Sequence, residues 1–147
     1  MRLGTLLTLC WLFLSATLVA QDKETIQMPG SLEGLPFSSA VRVGNMIYLS
    51  GQVGAMPNTR ELAPGGVAAE TKQTLENIKQ VLEYAGSSLD RVVKCTVFLQ
   101  NINDYAAMNE VYASYFQDEP PARSTVAGSG LALGAQVEIE CIALVGR

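Results

Sequence analysis

Val92-Val93-Lys94-Cys95-Thr96-Val97-Phe98-Leu99 is an alternating, β-branched run, and it predicts a strand from Arg91 to Leu99. The residues after this strand decide the fold. Asn101-Ile102-Asn103-Asp104 offers Asn and Asp side chains that cap a helix. That helix runs from about Tyr105 to Phe116 and stops before Pro120-Pro121. Ala122 to Val126 returns as a strand, Gly128 to Gly134 is loop, and Gln136 to Val145 reads as the longest strand.

Working upstream, Val41-Arg42-Val43 and Met46-Ile47-Tyr48-Leu49-Ser50 are two short strands. Gly44-Asn45 between them suits a two-residue hairpin turn with a positive φ at the glycine. Gly51 to Gly66, with Pro57, Asn58 and Pro64, reads as loop. A long helix comes next. Leu75, Ile78, Leu82 and Ala85 recur at helical spacing, Lys72, Glu76, Lys79 and Glu83 line the solvent side, and Gly86 stops it. The order β-β-α-β-α-β-β predicts an α+β fold, a mixed β-sheet with two helices on one face. The other face, expected to carry Val92, Thr96, Phe98, Ile142 and Leu144, needs a cover. Association of copies in a closed ring around a central barrel supplies one.

A chain of 147 residues has room for one domain with a sizeable core. Residues 1–20 have the pattern of a signal peptide or uncleaved signal anchor: Arg2, then an apolar run from Leu3 to Val19, then Ala20 before polar Gln21-Asp22-Lys23-Glu24. Export to a periplasm or the extracellular space is therefore expected, with no stable membrane span after cleavage; a leader that does not function would leave the chain in the cytosol. Residues 21–34, with Pro29, Gly30 and Gly34, read as a linker to a domain over 35–147. The net charge of −4 disfavours a nucleic-acid partner, because binding phosphate backbones needs clustered Lys and Arg. With no histidine, Ser-His-Asp and Cys-His catalysis are excluded and most zinc sites with them. Cys95 and Cys141 fall on the apolar alternation of their strands and read as two small buried hydrophobes, to which an oxidising compartment would permit a disulfide.

Chemistry must then run on Arg, Glu, hydroxyls, backbone groups and water. Arg123, in Pro121-Ala122-Arg123-Ser124-Thr125, offers a forked cation, and Glu138 lies fifteen residues on in an apolar run. On neighbouring strands, pointing into one crevice at a subunit seam, the two would make a site for a small organic acid. Arg123 alone is more often a surface ion pair. A strand glutamate among apolar residues is rarer without a partner, so Glu138 carries more of the argument. Glu140 reads as structural or interfacial.

Seven motifs in order bear on this chemistry. Pro36-Phe37-Ser38, Tyr48-Leu49-Ser50-Gly51-Gln52, Gln73-Thr74-Leu75-Glu76-Asn77-Ile78, Val92 to Leu99, Asn109-Glu110-Val111-Tyr112, Pro121-Ala122-Arg123-Ser124 and Val137-Glu138-Ile139-Glu140 together resemble the RidA/YjgF family of reactive-intermediate (enamine/imine) deaminases. The resemblance spans Leu35 to Val145. It implies a chorismate-mutase-like fold of the bacterial trimeric type, a homotrimer, and ligand sites in the clefts between subunits. It implies hydrolysis of 2-imino acids such as 2-iminopropanoate and 2-iminobutanoate to 2-oxo acids and ammonia, with no cofactor and no metal. Arg123 and Glu138 take the catalytic positions, and Phe37, Ser50, Gly51, Asn109 and Thr125 line the pocket. Taken singly, Ser50 before Gly51 reads as a turn former and Asn109 as a helix-surface residue. Phe37 stands where many members have Tyr, Gly130 where many have Arg, and Ser39 where many have Gln. The expected pocket is thus less polar than in those members. Phe37 and the leader motivate an alternative, a non-catalytic small-acid-binding or chaperone-like trimer of the cell envelope. Endoribonuclease activity, reported for some relatives, fits the acidic balance poorly.

Overall fold

The computed structural model describes residues 22–31 and 34–146; the expected signal peptide lies outside the described residues. Seven strands form one mixed sheet: β1 (Lys23–Ile26), β2 (Ala40–Val43), β3 (Met46–Leu49), β4 (Gln52–Val53), β5 (Val92–Leu99), β6 (Ala122–Ala127) and β7 (Val137–Leu144). The strand order is β1-β2-β3-β7-β5-β6, with β4 also pairing with β7. Helices α1 (Gly66–Tyr84) and α2 (Tyr105–Tyr115) pack against each other and cover one face. The α+β architecture expected from the sequence is the one observed.

The two periodicities explain it. On α1, Leu75, Ile78 and Leu82 are fully buried, and Met108 on α2 joins them. They meet Ile47, Cys95, Val97, Leu99, Val137, Ile139, Cys141 and Ala143 from the covered face, alternate residues of β3, β5 and β7. Gly44, at φ 60, makes the β2–β3 hairpin turn. Asn101 does act as a cap: its Oδ1 accepts from the Asn103 N–H at 3.0 Å, closing the short turn that leads into α2. Glu76, expected on the solvent side, is half-buried, and accepts from the Tyr115 hydroxyl at 2.6 Å, tying α1 to α2. Burial and that bond together raise the Tyr115 pKa.

Three expectations need correcting. The stretch read as a linker supplies β1, which pairs antiparallel with β2 from Lys23↔Val43 to Ile26↔Ala40 and extends the sheet. The stretch from Gly51, read as loop, begins with β4, which pairs Val53 with Glu138; α1 holds it through Asn77, whose Nδ2 donates to the Val53 and Ala55 carbonyls at 3.0 and 2.9 Å. Finally, Val92 belongs to the core, not the open face. The register of β5 on β7 shifts between Val92 and Lys94, so Val92 faces Ala143 while Lys94 faces Ile142. Val93 is the extra residue of this bulge and is 39 % exposed. Beyond the bulge, Thr96 and Phe98 do lie on the open face, opposite Glu140 and Glu138, and Ile142 and Leu144 share that face.

Cys95 and Cys141 are cross-strand partners on the covered face and are joined as a disulfide. The bridge ties the two central strands across 46 residues of sequence. Protein refolded under reducing conditions is expected to be less stable by about 2–4 kcal/mol, seen as a lower urea midpoint, while a Cys95→Ala/Cys141→Ala chain is indifferent to the reductant.

Candidate functional site

The expected site residues separate into two groups. Arg123 on β6 pairs with Cys95, and Cys95 with Cys141, so Arg123 projects from the helix-covered side of the sheet. Glu138 pairs with Phe98, three residues further along β5, and projects from the open side. β5 also lies between β6 and β7. The expectation that Arg123 and Glu138 share a crevice from neighbouring strands therefore fails within one chain. The parallel register of β6 on β5 is the physical reason.

The first group surrounds Arg123. Its Nη2 donates to Asn109 Oδ1 at 2.7 Å and to the Tyr105 hydroxyl at 3.0 Å. The guanidinium carbon lies 4.6 Å from the Tyr112 ring centre and 5.6 Å from that of Tyr105. Such cation–π contacts contribute about 0.5–2 kcal/mol each, more as the site dries. Both hydrogen-bond partners are neutral, so the cation is oriented without being neutralised. Thr125 lies two residues along the same face of β6, and its buried hydroxyl has no partner among the described residues. The Tyr112 hydroxyl is likewise buried and unpaired. Burial pushes its pKa up to about 12 against the pull of Arg123, so the phenol stays neutral. The sequence pointed to Arg123 directly and to Asn109 and Thr125 through the family resemblance, but not to Tyr105 or Tyr112. The signal was there: 105, 109 and 112 are spaced i, i+4, i+7, one face of a helix.

The second group surrounds Glu138. Gly51, in the break between β3 and β4, passes directly against this side chain: a Cβ built on Gly51 would collide with Oε1 and stand 2.9 Å from Cδ. Ser50 donates its hydroxyl to the Ser38 carbonyl at 2.7 Å, and its N–H to the Ser39 carbonyl at 3.1 Å. These bonds tie the loop that carries Phe37, which is 55 % exposed, to Ser50. The Ser50 hydroxyl is thus engaged locally. Partial burial, and then the like charge of Glu140 on the same face, raise the Glu138 pKa above the ordinary carboxyl range. Such a group keeps its proton to higher pH and is suited to proton exchange with a bound reactant.

Arg123, Asn109 and Thr125 thus form one candidate half-site, and Phe37, Ser50, Gly51 and Glu138 another. The groove of about 630 Å³ between α1 and α2, lined by Ala68, Lys72, Ala107 and Glu110 among others, contains none of them. Gly51→Ala is expected to displace the Glu138 side chain and cost about 1–3 kcal/mol in urea unfolding. Adding Glu138→Ala should recover most of that loss, a coupling read from the double-mutant cycle.

The Endoribonuclease L-PSP (Ribonuc_L-PSP) family matches residues 30–145. The 2-iminobutanoate/2-iminopropanoate deaminase of Mus musculus is 47% identical over 111 residues, covering 76% of this chain and 82% of that protein. The Homo sapiens protein of the same name is 40% identical over 131 residues, covering 89% and 94%. Among solved structures, RidA from an Antarctic Psychrobacter superposes with a TM-score of 0.77 at 41% identity, covering 83% of this chain and 99% of that one. With its family-wide match, its relatives at 40% identity and above and its shared fold, the chain belongs to the Ribonuc_L-PSP (RidA/YjgF) family.

Proposed function

We propose that this protein is a hydrolase that deaminates small 2-imino acids, 2-iminopropanoate and 2-iminobutanoate among them, to 2-oxo acids and ammonia. The observation that carries the reading is Arg123: a guanidinium held against two tyrosine rings by neutral partners, its charge left uncompensated for a carboxylate. The names of relatives at 40–47% identity support the same chemistry.

The reaction needs the two half-sites together, and one chain keeps them apart. A homotrimer that sets the Arg123 side of one copy against the Glu138 side of the next would complete each site. Two features support it. β6 is an edge strand. The open face also presents Tyr48 at 45 % and Val126 at 49 % exposure, with Phe98, Ile142 and Leu144 half-buried beside them, and this apolar surface needs covering.

In such a cleft the substrate carboxylate pairs with Arg123, and the unpaired Thr125 hydroxyl is within the same half-site. Glu138 as carboxylate takes a proton from the water that adds to the C=N carbon. That proton passes to the nitrogen, giving a carbinolamine; the adduct's hydroxyl proton then crosses to the amino nitrogen through the same carboxylate, the C–N bond breaks, and ammonia leaves as the C=O forms. An imine is already electrophilic, so orientation of water and substrate supplies the acceleration. Export is part of the proposal, supported by the apolar leader sequence and by the Cys95–Cys141 disulfide, a feature of oxidising compartments.

With 2-iminobutanoate generated in situ by an amino-acid oxidase, Arg123→Lys should lower kcat/KM roughly 10- to 100-fold, through loss of the forked, charge-assisted contact. Unchanged rates in Arg123→Ala would sink the assignment, and binding of 2-oxobutanoate without any rate enhancement would select a non-catalytic acid-binding trimer. Separately inactive Arg123→Ala and Glu138→Gln chains, denatured together and refolded 1:1, should regain roughly a quarter of wild-type activity if each site spans two copies of a symmetric trimer. The rate should rise as pH increases through the raised Glu138 pKa. Glu140→Gln removes a neighbouring negative charge and should move that acidic limb to lower pH.

A further inference from the structure

Arginine recognises a carboxylate best through two parallel N–H groups. A guanidinium has two such pairs, Nε with Nη2 along its side and Nη1 with Nη2 across its end. Both include Nη2, the nitrogen trans to Cδ. In this chain both Nη2 hydrogens are engaged, one by Asn109 Oδ1 and the other by the Tyr105 hydroxyl. A two-bond contact with an incoming acid therefore requires one of them to yield.

The two contacts are unequal. Asn109 holds Nη2 at 2.7 Å from a half-buried position on the second turn of α2. Tyr105 is the first residue of α2, 42 % exposed, and its contact is the longer at 3.0 Å in an exposed setting. We propose that the Tyr105 hydroxyl is a placeholder for the substrate carboxylate: it occupies the Nη2 direction in the empty site and is displaced when the acid binds, while Asn109 stays. Tyr105 then sets how tightly small 2-oxo and 2-imino acids are held. It positions Arg123 between turnovers and competes with ligand at the moment of binding. This rests on the reading of Arg123 as the carboxylate-binding group.

The sign of the effect separates a placeholder from a mere support. Tyr105→Phe keeps the ring over the guanidinium and removes only the competing oxygen, leaving water, which is more readily displaced, in its place. Its affinity for 2-oxobutanoate by calorimetry, and its KM for 2-iminobutanoate, should improve about threefold to tenfold. Asn109→Ala should do the reverse and weaken binding by at least about tenfold, since the guanidinium loses its fixed partner. A structural role for Tyr105 cannot produce a gain. Weaker or unchanged binding in Tyr105→Phe, with wild type active, overturns the placeholder and leaves the deaminase reading standing. Tighter binding in a wild-type and Tyr105→Phe pair that shows no turnover does the opposite. Failure of both proteins to bind 2-oxobutanoate or turn over imine overturns both.

Discussion

The register of one strand governs this molecule. β5 is hydrogen-bonded to β6 in parallel and to β7 antiparallel, so it fixes which side of the sheet every residue of those strands faces. Because side chains alternate with a period of two, a one-residue change in either pairing would carry Arg123 or Glu138 to the opposite face. The observed registers place the cation under α2 and the carboxylate on the open side. Each chain therefore carries two unlike candidate half-sites, and the apolar character of its open face becomes part of the same argument as its chemistry.

The half-sites are built on different physical grounds. Around Arg123 the protein provides orientation without compensation, using aromatic faces and neutral oxygens; a carboxylate partner in that place would have taken up the charge needed for an anionic ligand. Around Glu138 it provides the opposite, a carboxyl whose ionisation is discouraged by burial and by Glu140. Gly51 belongs to this second arrangement for lack of a side chain, since any Cβ there would occupy the space of the carboxyl group. Polar bonds beside the second centre maintain its geometry. Asn77 holds β4 against α1, and Ser50 holds the loop bearing Phe37.

Much of the fold was legible because the hydrophobic pattern repeats where burial is one-sided. The stripe of Leu75, Ile78 and Leu82 and the alternation of Val137, Ile139 and Cys141 each announced both an element and its inward face. Short elements were not legible. β1, with three of its four residues exposed, and two-residue β4 have too little buried surface to leave a pattern; they exist because a neighbouring strand edge pairs with them. The bulge at Val93 was hidden for another reason. Val92 and Val93 are chemically alike, and only pairing with Ala143 decides which of them is buried.

Sequence by itself determined the kinds of element, their order, the two helices against a mixed sheet, and the residue types available for chemistry in a chain without histidine. It also singled out Arg123 and Glu138, while Asn109 and Thr125 entered only through the family resemblance. Only the tertiary structure decided which of these belong together, because pairing register and strand order depend on contacts between residues far apart in the chain. Spacing along one strand or helix is a local property that a sequence displays directly. The face on which a strand from elsewhere presents its side chains is not, and that is where Arg123 and Glu138 part.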